Sequence, residues 1–403
     1  MAVLVLLATV VNYIDRLTVS ILAPVIQKEL GLSNLQYAGV TTWFLLLYAV
    51  GMPLFGKIYD RLGTYTGFCL AVAGWSLASI GHAAATGLRS LSAWRAVLGF
   101  FESGNWPGAT KGVAEWFPAR ERALAMGIVN CGAALGPVVA TPLVVFLQLR
   151  FGWQAAFVVT GTLGLFWLLP WWMTPRLGAP YPVRPAPADP NREGEGRAAA
   201  DWRVLLRDRR VWGVILARTF GDPIWWLYLM WLPLYLFNVR GFTLQKIGLL
   251  AWIPYMAAAL GSLAGGGFSS GLIARGWSRH RARRTAILLG SALLPLGGLA
   301  PWIPSAEGAL ALVSLILFAF QFWVNNVQTI PSDLYPSEYV GAIAGFSGGG
   351  AALGAMTLML TTGWVVDHFS YTPILILAAL LGPLATGALL LLVGRPERTP
   401  SGS

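Results

Sequence analysis

The pattern of apolar and polar positions repeats along the chain on the scale of a membrane crossing. Apolar runs of about 18–25 residues, enough to span about 30 Å of hydrocarbon as helix, recur through all 403 residues. Charged or Pro/Gly-rich breaks separate them into twelve predicted helices, near 2–27, 36–57, 64–87, 90–116, 121–149, 153–174, 211–238, 245–275, 284–303, 307–331, 339–364 and 371–394. Strand-type alternation is absent, which argues against an outer-membrane barrel. Between the sixth and seventh helices lies a polar stretch, RLGAPYPVRPAPADPNREGEGRAAADWRVLLRDRR. It divides the chain into two six-helix halves, 1–174 and 211–394, with a linker over 175–210 and a tail over 395–403. The first apolar run lacks the basic start of a signal peptide and a full span follows, so it reads as the first helix.

Composition agrees with that pattern. Hydrophobic residues make up 56% of the chain and charged residues 11%, against about 25% charged in soluble domains. The expectation is an all-α, multi-pass membrane protein with twelve transmembrane helices in two pseudo-symmetric six-helix bundles, surrounded by membrane lipid. The net charge of +11 does not point to nucleic acid, because the basic residues concentrate in a few interhelical loops. Eight arginines lie in the linker: Arg176, Arg184, Arg192, Arg197, Arg203, Arg207, Arg209 and Arg210. Five more follow helix 8, Arg275, Arg279, Arg281, Arg283 and Arg284, and Lys57, Arg61, Arg120 and Arg122 share that side. The opposite loops hold Lys28, Arg89, Arg150, Arg240 and Lys246. By the positive-inside rule the linker and both termini are cytoplasmic.

Cys69 and Cys131 sit inside apolar segments and His82, His280 and His368 are isolated, so neither a disulfide framework nor a metal site is expected. No nucleophile–base cluster and no Gly-x-x-x-x-Gly-Lys-[Ser/Thr] run is present, which argues against an enzyme and against ATP-driven pumping. No cofactor is expected. The short tail argues against a transporter-like sensor that binds without translocating.

The halves repeat one another. At an offset of 218 positions EWFPARERALAMGIVNCGAALG (115–136) lies over DLYPSEYVGAIAGFSGGGAALG (333–354). Pro118 then matches Pro336, Gly127 matches Gly345, and Phe151 falls on Phe369. Parallel repeats of this kind predict substrate held near the midplane between the halves, with alternating access by rocking.

Helix 2 ends in GKIYDRLG (56–63), which fits the Gly-x-x-x-Asp-Arg-x-Gly pattern between helices 2 and 3 of major facilitator transporters, and the chain resembles that superfamily. In this motif, with Gly56, Asp60, Arg61 and Gly63, the first glycine would allow close helix approach. Asp60 would accept from a neighbouring helix N-terminus and Arg61 would pair across the cytoplasmic face. A narrower resemblance, carried by NYIDR (12–16), RAVLGFFESGNWPG (95–108), EWFPARERALAMG and RTFGDPIWWLYLMWLPLYLFNVRGF (218–242), is to the anion:cation symporter family. Within it the chain looks most like the bacterial hexuronate branch. The resemblance implies proton-coupled symport of a sugar acid, a small organic anion, by a monomer in a bacterial inner membrane. Aldonates such as galactonate, aldarates such as glucarate and non-sugar organic anions are the alternatives. Ala133 and Ala134 stand in helix 5 where galactonate-type members can carry a glutamine, which favours a hexuronate mildly.

The residues themselves point the same way. Arg95 and Glu102 are seven apart in helix 4 and share a face, whereas Asp15 and Arg16 diverge by about 100° on helix 1. Charges facing lipid are prohibitive, so each should look into the bundle, where two acids and two bases can form one network between helices 1 and 4. Symport needs a carboxylate whose charged form desolvation disfavours, and a fixed guanidinium for the substrate carboxylate. Glu102 is the first choice for the proton site and Asp15 the second. Arg16 is the first candidate for the anion clamp and Arg95 the second, with Arg95 alternatively holding Glu102 or Asp15 until protonation. Tyr13, Tyr48, Asn130, Gln321, Asn325 and, as a stacking surface, Trp226 are the candidates for sugar hydroxyls and ring. Arg218 and Asp222, at i and i+4, read as a gating or structural pair, and Lys111 as a side chain snorkelling to the surface. The 218-residue offset lays Glu102 over Phe320, next to Gln321, an uncharged amide. Charged coupling is thus expected in the first half and hydroxyl recognition in the second.

Overall fold

The computed structural model describes residues 1–174, 205–335 and 337–394. The predicted linker as far as 204, including Arg176, Arg184, Arg192, Arg197 and Arg203, lies outside the described residues, as do Pro336 of the repeat and the tail 395–403. Among the described residues there is no strand.

The first predicted helix is built from α1 (Ala2–Ile21) and α2 (Ala23–Leu30). The two meet at Leu22, two residues before Pro24, which has no N–H to continue the ladder. The second and third predicted helices form one 49-residue run, α3 (Asn34–His82). At about 1.5 Å per residue this run is long enough for two crossings. It is divided at Gly63, whose φ of 78° and ψ of 162° are strained for any residue with a Cβ.

Helix 4 departs from expectation. The single predicted helix 90–116 is instead α4 (Leu88–Glu102) and α5 (Asn105–Trp116), broken immediately after Glu102. Pro107 cannot donate to the Ser103 carbonyl four residues back, and the Gly104 N–H bonds to the Phe101 carbonyl in a tighter turn (3.2 Å). After α6 (Ala119–Phe151), α7 (Trp153–Met173) and α8 (Arg209–Asn238), prolines divide two more predicted helices. Pro254 separates α9 (Leu244–Leu250) from α10 (Ile253–Ala274). Pro295 and Pro301 turn the end of α11 (Arg279–Leu293) into a 3-10 segment, Leu294–Trp302. The chain ends with α12 (Ala306–Leu334), α13 (Ser337–His368) and α14 (Thr372–Val393).

Among the described residues nine helical stretches are long and apolar enough to cross a membrane. Because α3 crosses twice, and because the α4–α5 pair and α8 complete the set, the described residues make twelve passes.

Contacts divide the described residues into two compact units. The first comprises 1–174 with 228–256 and 359–369; the second comprises 205–227, 257–358 and 370–394. In the first unit α1 packs on α6 and α7, and α3 packs on α4 and α7. Two glycines set these distances: a Cβ at Gly99 would strike the Phe44 carbonyl, and one at Gly136 would strike the Tyr13 side chain. In the second unit α12 packs on α11, and glycines of α10 lie against the Phe318 and Phe322 carbonyls of α12.

Candidate functional site

The polar run of α1 is buried within the first unit: Asp15 and Glu102 are 0% exposed, Arg95 0% and Arg16 2%. Arg16 turns toward α4, where its Nε lies 2.9 Å from Glu102 Oε2. A second guanidinium nitrogen donates to Asn12 Oδ1, one turn back on α1 (3.0 Å). Asn12 Nδ2 reaches the Glu102 backbone carbonyl at 3.4 Å, so α1 is tied to the last residue of α4 at two points. Aromatic faces enclose the cation. The guanidinium carbon lies 4.6 Å from the Tyr13 ring centre, 5.0 Å from that of Tyr48 and 5.3 Å from that of Phe44. Such faces favour a cation in the absence of water.

Asp15, one residue earlier, points elsewhere. Its Oδ1 accepts from Ser79 Oγ on the second half of α3 (2.7 Å), and Ser79 Oγ lies 3.4 Å from Thr160 Oγ1 on α7. Among the described residues Asp15 forms no ion pair. The expectation of one network between helices 1 and 4 is therefore corrected: the 100° turn between neighbouring helical positions splits it in two. Arg95 is likewise reassigned. Its NH2 donates to the Arg16 carbonyl oxygen (2.8 Å) and its guanidinium lies over the Phe44 ring at 4.5 Å, bracing α1 rather than holding Glu102 or Asp15. One oxygen of each buried acid, Asp15 Oδ2 and Glu102 Oε1, accepts no hydrogen bond from the described residues.

Of the other predicted contacts, Tyr13 is buried and Tyr48 half-buried beside Arg16, while Asn130 is exposed on α6. In the second unit Arg218 holds Asp222 by two hydrogen bonds, 2.7 and 3.1 Å, and reaches Ser347 at 3.4 Å. Asn325 spends its amide nitrogen on the Ser262 carbonyl (2.8 Å) and hydroxyl (2.6 Å), which fixes α12 against α10. Gln321 and Trp226 are half-buried on α12 and α8.

The loop motif needs three corrections. A Cβ at Gly56 would meet nothing within 4 Å, so no close approach depends on it. Arg61 is exposed and has no ion-pair partner among the described residues. Lys111 does not merely snorkel: its Nζ binds Asp60 at 2.7 Å and the Tyr59 carbonyl at 2.7 Å, tying α5 to the turn in α3. Sequence reasoning also passed over Asn12, Ser79, Thr160 and the buried His82, whose Nδ1 lies 2.7 Å from the Ala78 carbonyl oxygen. The i, i+4 spacing from Arg16 could have found Asn12. The hydroxyls give no such signal, since serine and threonine in membrane helices commonly bond their own backbone.

Known proteins resemble this chain over nearly its full length. The family model described as Major Facilitator Superfamily matches residues 5–346. The hexuronate transporter of Escherichia coli K12 is 30% identical over 397 residues, covering 95% of this chain and 92% of its own. The D-galactonate transporter of Escherichia coli O6:H1 is 29% identical, covering 98% and 95%. The galacturonate transporter of Dickeya chrysanthemi is 33% identical over 273 residues, covering 65% and 79%. Among solved structures, a bacterial homolog of the human lysosomal transporter Spinster, inward-facing and unoccupied, superposes with a TM-score of 0.81 at 18% identity, covering 97% of this chain and 96% of its own. The D-xylose–proton symporter gives 0.79 at 15% identity, covering 98% and 97%.

Proposed function

This chain belongs to the Major Facilitator Superfamily, and from that premise we propose that it is a proton-coupled symporter for a sugar-acid anion, a hexuronate first of all. The observation that carries the reading is the buried Arg16–Glu102 pair, 2.9 Å apart and ringed by Tyr13, Tyr48 and Phe44. A guanidinium takes a carboxylate through parallel hydrogen bonds, and Glu102 occupies one such donor. Protonating Glu102 removes its charge and releases Arg16 Nε to an incoming anion, so proton and substrate bind together. Asp15, buried on the other side of α1 and held by Ser79, is the second proton carrier. Its uptake of a proton loosens α1 from α3 and α7 without touching the anion.

The tyrosines beside Arg16 offer hydroxyl groups to a polyol, and Gln321, Trp226 and Asn130 are assigned to the sugar's remaining surface. Asn325 is given the smaller part, because its amide nitrogen is already engaged. The Arg218–Asp222 pair and the Asp60–Lys111 link at the Gly63 turn are the structural and gating elements. The asymmetry of basic loops supports cytoplasmic termini, and the bacterial relatives support an inner membrane. Aldonates remain a second reading, favoured by the near-equal match to the galactonate transporter.

Uptake of labelled sugar acids by proteoliposomes, with and without an inward proton gradient, tests the proposal. Glucuronate or galacturonate should accumulate only under the gradient. Accumulation of galactonate alone selects the second reading, and accumulation of no sugar acid overturns both.

A further inference from the structure

We propose that the second unit carries a binding site for an anionic phospholipid, in a cavity of about 210 Å³ at the start of α11 and the ends of α12 and α14. One wall is basic, with Arg279, His280, Arg283 and Arg284. The other is apolar, with Ile287, Ile330, Leu389 and Val393. The basic wall is not used up by the protein. Arg283 Nε lies 3.2 Å from Asp333 Oδ2, the one acid lining the cavity, and its NH1 donates to Ser269 (2.7 Å) and Asn326 (3.3 Å). Arg279 and Arg284 have no ion-pair partner among the described residues. Arg209, at the start of α8, sets a further guanidinium against Gly394 on the cavity rim.

The surroundings decide which anion fits. The start of α11 and the end of α14 belong to membrane-spanning helices, whose faces turned away from the cavity carry Leu289, 49% exposed, and Leu391, 80% exposed, toward hydrocarbon. The cavity therefore lies at the ends of membrane-spanning helices, the level of a leaflet's headgroups, and Arg281 over the Trp277 ring at 4.2 Å marks that interfacial level beside it. A free anion gains nothing from an aliphatic wall. A zwitterionic lipid brings no net charge to two arginines. A phospholipid with a net negative headgroup satisfies both walls, its phosphodiester on Arg279 and Arg284 and the start of an acyl chain on Ile287, Ile330 and Leu389. Basic pockets between membrane helices are suited to such headgroups.

The purified full-length protein in detergent is titrated with phosphatidylglycerol, phosphatidylcholine or inorganic phosphate, with binding read by native mass spectrometry and by thermal unfolding. Phosphatidylglycerol should bind and raise the unfolding temperature, and phosphatidylcholine should do neither. The double variant Arg279→Gln/Arg284→Gln should weaken phosphatidylglycerol binding by about fivefold for each arginine removed. The control Arg275→Gln/Arg281→Gln, on the same segment but outside the cavity, should leave it unchanged. Val393→Trp fills the cavity and keeps its charges, and it should weaken binding as well. Three outcomes each overturn the proposal: unchanged binding by the double variant, equal binding of phosphatidylcholine, or inorganic phosphate binding as tightly as the lipid.

Discussion

At Glu102 one carboxylate oxygen holds Arg16 at 2.9 Å while the other accepts no hydrogen bond from the described residues, which leaves it open to the proton of the proposed mechanism. Glu102→Gln preserves shape and a hydrogen bond to Arg16 but cannot carry a proton. Proteoliposomes with this variant should lose gradient-driven accumulation while still exchanging labelled for unlabelled substrate, and retained accumulation would move the coupling role to Asp15. Arg16→Lys keeps the charge but gives up the planar fork. One charge-assisted hydrogen bond is worth about 1.5–3 kcal/mol, so KM should rise by roughly tenfold or more with a smaller change in kcat. At this scale the sequence exposes charge and conceals partners. NYIDR shows at once that Asp15 and Arg16 must be buried and must diverge, because both facts follow from helix geometry and the hydrocarbon solvent. That Asp15 meets Ser79 and Thr160, and that Arg95 finds a backbone carbonyl, depends on how α3, α4 and α7 pack. No spacing within one helix encodes that.

The elements carry a second kind of information, in their breaks. α4 ends at Glu102 because Pro107 withdraws a donor from the following turn, and the break places the carboxylate at a helix end facing α1. Pro107→Ala restores that donor and lets α4 run straight into α5. Transport should fall sharply although the unfolding temperature holds or rises, a separation that a simple folding defect would not give. The glycines of the loop motif make the opposite pair. Gly63 sits at φ 78° and Gly56 has open space around it. Gly63→Ala should destabilise the protein by about 1–3 kcal/mol, seen as a lowered unfolding temperature in detergent, whereas Gly56→Ala should be tolerated. Hydrophobic periodicity locates helices but not these breaks, since a bend inside the bilayer leaves the apolar run intact. That is why 90–116, 245–275 and 284–303 each read as one helix and are each two segments.

For the molecule as a whole, the passes hardest to recognise by apolarity are α4–α5 and α8, the ones that hold Arg95 and Glu102 and the Arg218–Asp222 pair. The charged and Pro/Gly-rich breaks on either side of them place them in the count of twelve. The alternation of loops underlies the proposed orientation. Arg207, Arg209, Arg210 and the five arginines from Arg275 to Arg284 lie on one face, against scattered single charges such as Arg89, Arg150 and Arg240 on the other. Basic residues close to a span's end resist translocation, which is the ground for the proposal that the arginine-rich loops stay inside. A C-terminal green fluorescent protein fusion should therefore fluoresce in a bacterial host, and a C-terminal alkaline phosphatase fusion should be inactive. Fusions in the loop holding Arg240 should give the reverse. If the C-terminal phosphatase were active instead, the cavity at the start of α11 would face the outer leaflet. Its lipid would then have to come from there, and the basic loops would need a reason other than topology.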